Sequence, residues 1–599
     1  MPYDKTPYSF VPISDRVFFP DWADRISQDV PFSDALSGSI TFDIVAKTPV
    51  FVRNGQIAGG KDSSFSHMPD DTFFLPGTSI KGEIASVLRM MSFGKMGQVA
   101  DKTFGLRDLS RSRAGESYKQ KLRSVKCGWL RQTSNPASES GYELEDWGTP
   151  RRVSIKQISD FMYTGDPDLF TLVSNSRYAN YFNDKKLQKG EVSHSSALHK
   201  YMRAEFDINV NPLEDGMFIW SASGTKNNEV QICTALDAEG YTVPDLSKGN
   251  PGVVVFTGQP SQSKRKEFFF MKPMGTPAPI FPSNKVIQAF FSINAASDDF
   301  TKFRKVQLDK GFSIPVFFLM EAGALHSIGL TSMFKYPYKK TIWDAIPAGH
   351  KKNDWDLSEC MFGTIKGTSC KGRVQFGHAK AMGHPEPWGE KVFRMSQPRA
   401  SFYPFYVEGG KSWDDAVKIS GHKRYPIRFG RPLPSPPGTK DMESSAAMLP
   451  PETTFKETVR FHNLRPVELG ALLSAITFHG NQDKCYHSIG FGKPLGYGAV
   501  SIQNIALEGV DVQDNPVGGI NEYLAAFEDQ MTAFTSNWLS SPQMSELLLM
   551  AQGIPAGKES SFEYMQLKDF LDAKDHRTSL GPFSSRIGKA GYSVPSVKK

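Results

Sequence analysis

Cysteine is scarce in this chain of 599 residues: Cys127, Cys233, Cys360, Cys370 and Cys485 are scattered and form no CxxC pair. That odd, dispersed set excludes a zinc finger or ribbon and argues against a disulfide framework. Long apolar runs are missing as well, so no segment reads as a bilayer span. The opening MPYDKTPYSF lacks a basic stretch followed by an apolar core, and the expectation is a reduced, cytoplasmic protein. Charge is nearly balanced, 70 Lys and Arg against 63 Asp and Glu for a net +7. Only local clustering of cations can then serve a polyanion. The sustained helical periodicity of a solenoid or coiled coil is also absent.

Glycine and proline are abundant, 51 and 40 residues, which predicts short strands joined by turns and long loops. The length suits about four domains of roughly 150 residues, or two or three larger ones. In SGSITFDIVAKTPVFV, Ile40, Phe42 and Ile44 alternate with Ser39, Thr41 and Asp43, the period of a strand with one buried face. A polar, glycine-rich stretch follows and reads as a surface loop. Then Ile80, Ile84, Val87, Leu88 and Met91 recur on one helical face behind the Pro76-Gly77 turn. Thr78 or Ser79 is the expected cap, and Lys81 adds charge near the helix start. The turn has neither the P-loop nor the dinucleotide spacing.

Between Thr103 and Gln157, cations alternate with Tyr118, Trp129 and Trp147. The pattern suits phosphate contacts with base stacking, and equally a solvated, turn-rich surface. GVVVFTG and KRKEFFF read as antiparallel partners. VIQAFFSIN reads as a strand opening a second half, followed by a basic loop with Lys335, Tyr336, Tyr338, Lys339 and Lys340. Near the C-terminus a helix carries Leu469, Leu472, Leu473 and Ile476, ahead of the glycine-rich SIGFGKPLGYGAV. The last stretch reads as a helical appendage with a loose basic tail.

Four pieces in this order, LPGTSIKGEIASVLR (Leu75 to Arg89), FGLRDL (Phe104 to Leu109), FGTIKGTSCKGRVQF (Phe362 to Phe376) and GFGKPLGYGAV (Gly490 to Val500), together with YSFVP and RFHNLRPVELGALL, resemble the RAMP superfamily of CRISPR-associated proteins. They are most similar to its large double-RAMP family of type III CRISPR loci. The resemblance implies an α+β fold of two fused ferredoxin-like, RNA-recognition-like modules with loop insertions. It places a first module with an N-terminal extension and insertion at 1–275 and a second at 276–510, leaving the helical appendage at 511–599. The implied role is a guide-RNA-binding, backbone-like subunit of an antiviral effector, with target-RNA cleavage left open. Its partners would be guide RNA, complementary target RNA and other effector subunits, with no membrane. The expected RNA contacts are Gly77, Lys81, Arg107, Lys371, Arg373, Lys493 and Gly496.

In related subunits a catalytic aspartate lies on the loop between the first strand and the glycine-turned helix. Here that loop holds Asp62, Asp70 and Asp71, and each is equally readable as a solvated loop carboxylate. RNA binding calls for no cofactor; cleavage by these aspartates would call for a divalent metal ion. Asp344, Asp354 and Asp356 are more distant candidates, and His378 stands where the family pattern has an acidic residue. The alternatives are an endoribonuclease processing guide precursors through His194 and His199 or through His479 and His487, and a protein scaffold independent of RNA.

Overall fold

The computed structural model describes residues 5–55, 63–97, 99, 101–109, 113–154, 157, 219–226, 228–236, 238, 240, 242–245, 247–255, 257, 266–297, 300–301, 304, 308–311, 313–395, 403–410, 412–415, 418–430, 432–436, 443–576 and 579–598. The chain divides into two compact units, one built from 1–100 and 342–599, the other from 101–341. This division does not coincide with the expected boundaries at 275 and 510. The physical reason lies in the first strand, whose pairing partners come from the far end of the chain.

That strand, β1 (Leu36–Ala46), is central in a sheet that also contains β2 (Phe74–Leu75), β3 (Val374–Phe376), β4 (Ala379–Ala381), β5 (Thr454–Leu464), β6 (His487–Ser488) and β7 (Ala499–Asp511). The order across the sheet is β6-β7-β1-β5-β4-β2, with β3 also paired to β5. Neighbours β7, β1, β5 and the β3/β4 pair are antiparallel. The period-two pattern of the sequence sets the faces: Ile40, Phe42 and Ile44 are buried, in register with Val459, Glu457 and Phe455 of β5.

Helix α1 (Gly77–Met91) follows β2, and α3 (Pro466–Thr477) follows β5; the short α2 (Leu357–Phe362) precedes β3. The expected stripe of α1, Ile80, Ile84, Val87, Leu88 and Met91, lies in one core with the buried sheet face and with Leu469, Leu472, Leu473 and Ile476 of α3. Burial of side chains of this size is worth about 1.5–3 kcal/mol each. The cap of α1 differs from expectation: Pro76 holds the N-cap position without a side-chain cap bond. Instead Gly77 donates its N–H to His378 Nδ1 across 3.1 Å. A Cβ at Gly77 would collide with the carbonyl oxygens of Phe376 and Gly377, so glycine here permits the helix start to press onto the sheet.

The C-terminal helices form a further layer of the same core and not an appendage. Helix α4 (Ile520–Phe534) lies against α3 where Gly470 leaves room for the Tyr523 carbonyl. Leu524, Phe527 and Met531 of α4, and Leu547 and Leu548 of α5 (Pro542–Gln552), join the core. Trp538 donates its indole N–H to Met91 O at 2.8 Å. The expected loose tail is tied down as well: Val594 is buried and donates to Leu539 O at 2.9 Å.

In the second unit, Arg151–Ser154, Ile219–Lys226, Glu229–Ile232, Asn250–Val255 and Lys266–Met271 close a five-stranded barrel. Its Val253 and Phe270 are in antiparallel register, the pairing expected of GVVVFTG with KRKEFFF. A separate antiparallel sheet runs in the order Ala324–Gly329, Ile314–Glu321, Lys126–Gln132, Tyr142–Asp146. VIQAFFSIN is helical, within Asn284–Asn294, and not a strand. Ser283 caps it by accepting from Val286 N, and Val286, Ile287 and Phe290 form its buried side, a spacing of three and four that suits a helix. Among the described residues the seven-stranded sheet with α1 and α3 occurs in the first unit, and the second unit has this different topology.

Candidate nucleic-acid interface

The face of the sheet away from α1 and α3 is mainly polar, half-buried at Ser39, Thr41, Asp43 and Thr458 and exposed at Lys380, Lys456 and Arg460. Along β5, Lys456, Thr458, Arg460 and His462 alternate with the inward-facing Phe455, Glu457, Val459 and Phe461. Lys456 and Arg460 are both exposed, and the four-residue step between them along the strand is about 13 Å. Register then builds two rows across the face. One runs Phe74, Lys380, Lys456, Asp43, Gln503, and the other Gln375, Arg460, Ser39, Glu508. Thr41 and Thr458 lie opposite one another between them. Lys380 and Lys456 are like charges directly opposed on neighbouring strands, an arrangement that is unfavourable until an anion joins them.

At the Lys380 end, residues 67–73 form a tight hairpin in which Asp71 N–H donates to Met68 O and Asp71 has φ 61°. Asp70 and Asp71 are exposed at its tip. The Thr72 backbone N–H donates to Asp70 Oδ1 at 3.1 Å. Hydrogen bonds from Thr72 hold the Asp70 carboxyl below the usual carboxylate range, with the Lys380 charge adding to the effect. Asp71 Oδ1 stands 3.7 Å from His67 Nδ1. Two of the three candidate aspartates are therefore brought to one end of the cationic face; Asp62 lies outside the described residues. No group of three or more His, Cys, Asp or Glu side chains is arranged to hold a metal ion among the described residues.

The other expected contacts divide into exposed and structural. Lys371 is exposed beside this face, where its carbonyl accepts from Gln28, whose amide also meets His462. Burial, followed by the charges of Arg373 and Lys371, pushes the His462 imidazole down from its ordinary value. Arg373 is wholly buried and cannot reach a ligand: its guanidinium is paired with Glu468 and donates to Cys360 O and Asn463 O. A buried guanidinium needs such complete pairing. Lys81 Nζ donates to Phe362 O at 3.1 Å, and Gly77 is buried at the helix start. Lys493 faces the buried carboxylate of Glu83; burial lowers its pKa while Glu83 opposes the shift. Gly496 has φ 97°, and the Arg428 side chain lies against it. Arg107 is exposed in the second unit, beside the Tyr118 hydroxyl.

The proposed stacking rings are core residues. Tyr118, Trp129 and Trp147 are buried in a cluster with Phe270 and Phe317, and the Tyr118 hydroxyl donates to Phe334 O at 2.7 Å. The pair His479 and His487 does not form a site either. His479 is buried between Ser474 and Glu528, and His487 is buried against Glu83 and Ile476 O. His194 and His199 lie outside the described residues. Asp356 is the buried N-cap of α2, in a capping box with Glu359, whereas Asp344 and Asp354 are exposed. The residues that sequence reasoning passed over are Lys380, Lys456 and Arg460. The alternation in FKETVRFH was the available signal.

No protein-family model matches the chain, and no curated protein matches it. Among solved structures it is similar to a chain of the Type III-B Cmr-beta complex bound to cognate target RNA, determined by cryo-EM, at 10% identity over 78% of this chain and 96% of that one, with a TM-score of 0.17. At that score, fold and function rest on this chain's own residues. No helix among the described residues is long and apolar enough to cross a membrane.

Proposed function

We propose that the first unit is a ferredoxin-like, RAMP-type module and that the chain is a guide-RNA-binding subunit of a type III CRISPR effector. The observation that carries the reading is the exposed pair of cation-bearing rows at Lys380, Lys456 and Arg460 on the open sheet face, with Lys371 at its margin. Single-stranded RNA offers phosphates to those cations and 2′-hydroxyls to Ser39, Thr41 and Thr458. Phe74, in register with Lys380 and tilted against the His378 ring, adds one aromatic ring at the edge of that face, where a base could stack. Asp70 and Asp71, at the Lys380 end, are placed to meet a strand crossing that face, which keeps metal-assisted cleavage of target RNA within the reading.

The test is purification of the chain with its cellular RNA and sequencing of the bound species and their ends. Discrete short RNAs sharing a repeat-derived end support guide binding. Loss of that RNA on combined Lys380→Ala, Lys456→Ala and Arg460→Ala substitution supports the assigned face. Absence of enriched RNA, with partner subunits present and degradation excluded, overturns the reading in favour of a protein scaffold. Cleavage of complementary RNA that needs a divalent metal and is abolished by Asp70→Asn with Asp71→Asn would identify the loop as the nuclease centre.

A further inference from the structure

Three side chains of different chemistry meet at the outer edge of the cationic face. Strand β2 ends the sheet on that side, and its Phe74 stands in register with Lys380 of β4. His378 lies in the short connection between β3 and β4. It and Lys380 are exposed on either side of the buried Ala379, so both side chains leave the same face, beside the half-buried Phe74. The Phe74 and His378 rings are 4.8 Å apart with 34° between their planes. A backbone N–H can only donate, so the 3.1 Å bond from Gly77 N makes His378 Nδ1 the acceptor and puts the proton of the neutral ring on Nε2. That nitrogen has no hydrogen-bond partner among the described residues. The connection is held firmly: Gly377 N donates to Thr458 O at 3.3 Å, and the start of α1 presses so close that a Cβ at Gly77 would collide with the Phe376 and Gly377 carbonyls. An oriented donor thus stands beside an aromatic ring and a free-facing cation.

We propose that Phe74 and His378 form a base-reading site that selects keto bases, uracil and guanine, over the amino bases cytosine and adenine at one position of a bound single strand. This deepens the RNA-binding reading and rests on it. Lys380 takes the phosphate of the nucleotide that is read, since paired positions on neighbouring strands lie about 5 Å apart, within the reach of one nucleotide. The imidazole covers part of the Phe74 ring, and a base lying in the plane of the imidazole extends that layer over the rest of it. With its phosphate at Lys380 and its plane set by Phe74, the base presents one edge to His378. Nε2–H can donate there and cannot accept. Uracil O4 and guanine O6 are acceptors and complete the bond, whereas the amino groups of cytosine and adenine set donor against donor. Lys456 and Arg460 remain for the neighbouring phosphates. Each residue then has its own signature: Phe74 acts on every base, His378 on base identity, and the cations on salt dependence.

The test is fluorescence anisotropy of the full chain on labelled RNA strands of abasic residues that carry a single base, compared in the pairs uridine with cytidine and inosine with adenosine, and with the wholly abasic strand. The expected result is tighter binding of every base-bearing strand than of the abasic one, by about 10-fold, and a further preference of about 5-fold for the keto member of each pair. His378→Ala is expected to erase the preference within each pair and to leave the slope of log K against log salt unchanged. Phe74→Leu, which keeps the Gly77 bond intact, is expected to remove most of the gain from a base; it serves as the second variant if unfolding midpoints show that His378→Ala fails to fold. Equal affinity of the wild type for both members of each pair, a keto preference that survives His378→Ala, or a base gain that survives Phe74→Leu overturns the site while leaving the RNA-binding reading in place. Absence of binding to any strand, natural single-stranded RNA included, overturns both.

Discussion

The Arg373 guanidinium donates to the Glu468 carboxylate at 2.9 Å with neither side chain exposed to solvent. Glu468 also accepts the indole N–H of Trp22 at 3.2 Å and the backbone N–H of Arg465 at 2.9 Å, which closes the N-terminus of α3. A residue whose position in a Gly-Arg-Val motif suggests an RNA contact instead joins the β3 strand to the segment after β5.

Arg373→Met should therefore destabilise the first unit by about 3–5 kcal/mol, because it leaves Glu468 charged, buried and short of a partner. Combined Arg373→Met and Glu468→Met should recover part of that loss. Urea unfolding measures both. A folded Arg373→Met protein of unchanged stability and weakened RNA affinity would restore the contact role.

Lys380→Ala, Lys456→Ala and Arg460→Ala should each weaken single-stranded RNA binding to a similar degree across sequences. If each side chain neutralises one phosphate, removal should reduce the slope of log K against log salt by about 0.7. Anisotropy titrations over a salt series test this. An unchanged slope in the triple variant would move the interface elsewhere.

Glu457 is fully buried on the inward face of β5, and burial pushes its carboxyl up to about 8, with hydrogen bonding from Gly377 and Thr458 opposing the shift. The folded state thus holds this proton more tightly than the unfolded chain. Its contribution is fully present below the ordinary carboxylate range and is lost as pH rises toward about 8. Glu457→Gln should raise stability at alkaline pH relative to wild type by about 1–3 kcal/mol and flatten the pH profile between 5 and about 8. Thermal unfolding across that range decides it.

Gly77→Ala should destabilise by about 1–3 kcal/mol, since the added methyl meets the Phe376 and Gly377 carbonyls and the start of α1 must lift from the sheet. His378→Ala should cost less, about 1 kcal/mol, by removing only the acceptor for the Gly77 N–H. Chemical denaturation compares the two. A neutral Gly77→Ala would show that the helix start can move freely.

The local patterns were legible from the sequence alone. Ile40, Phe42 and Ile44 declared a half-buried strand, the stripe from Ile80 to Met91 declared a helix, and GVVVFTG with KRKEFFF declared a pair of strands. Such periods depend on which side of a short element faces the core, and neighbouring residues encode that. Two of the candidate aspartates were likewise placed on a loop before α1, where the structure has them. What only tertiary structure decided was long-range partnership: β1 lies between strands from the chain's other end, and the C-terminal helices complete its core. The same holds for burial. Arg373, Tyr118, Trp129 and Trp147 have the composition of an RNA-binding surface, yet each is enclosed by residues distant in sequence. Whether a charged or aromatic side chain meets solvent, a ligand or a core depends on the partners the fold brings to it.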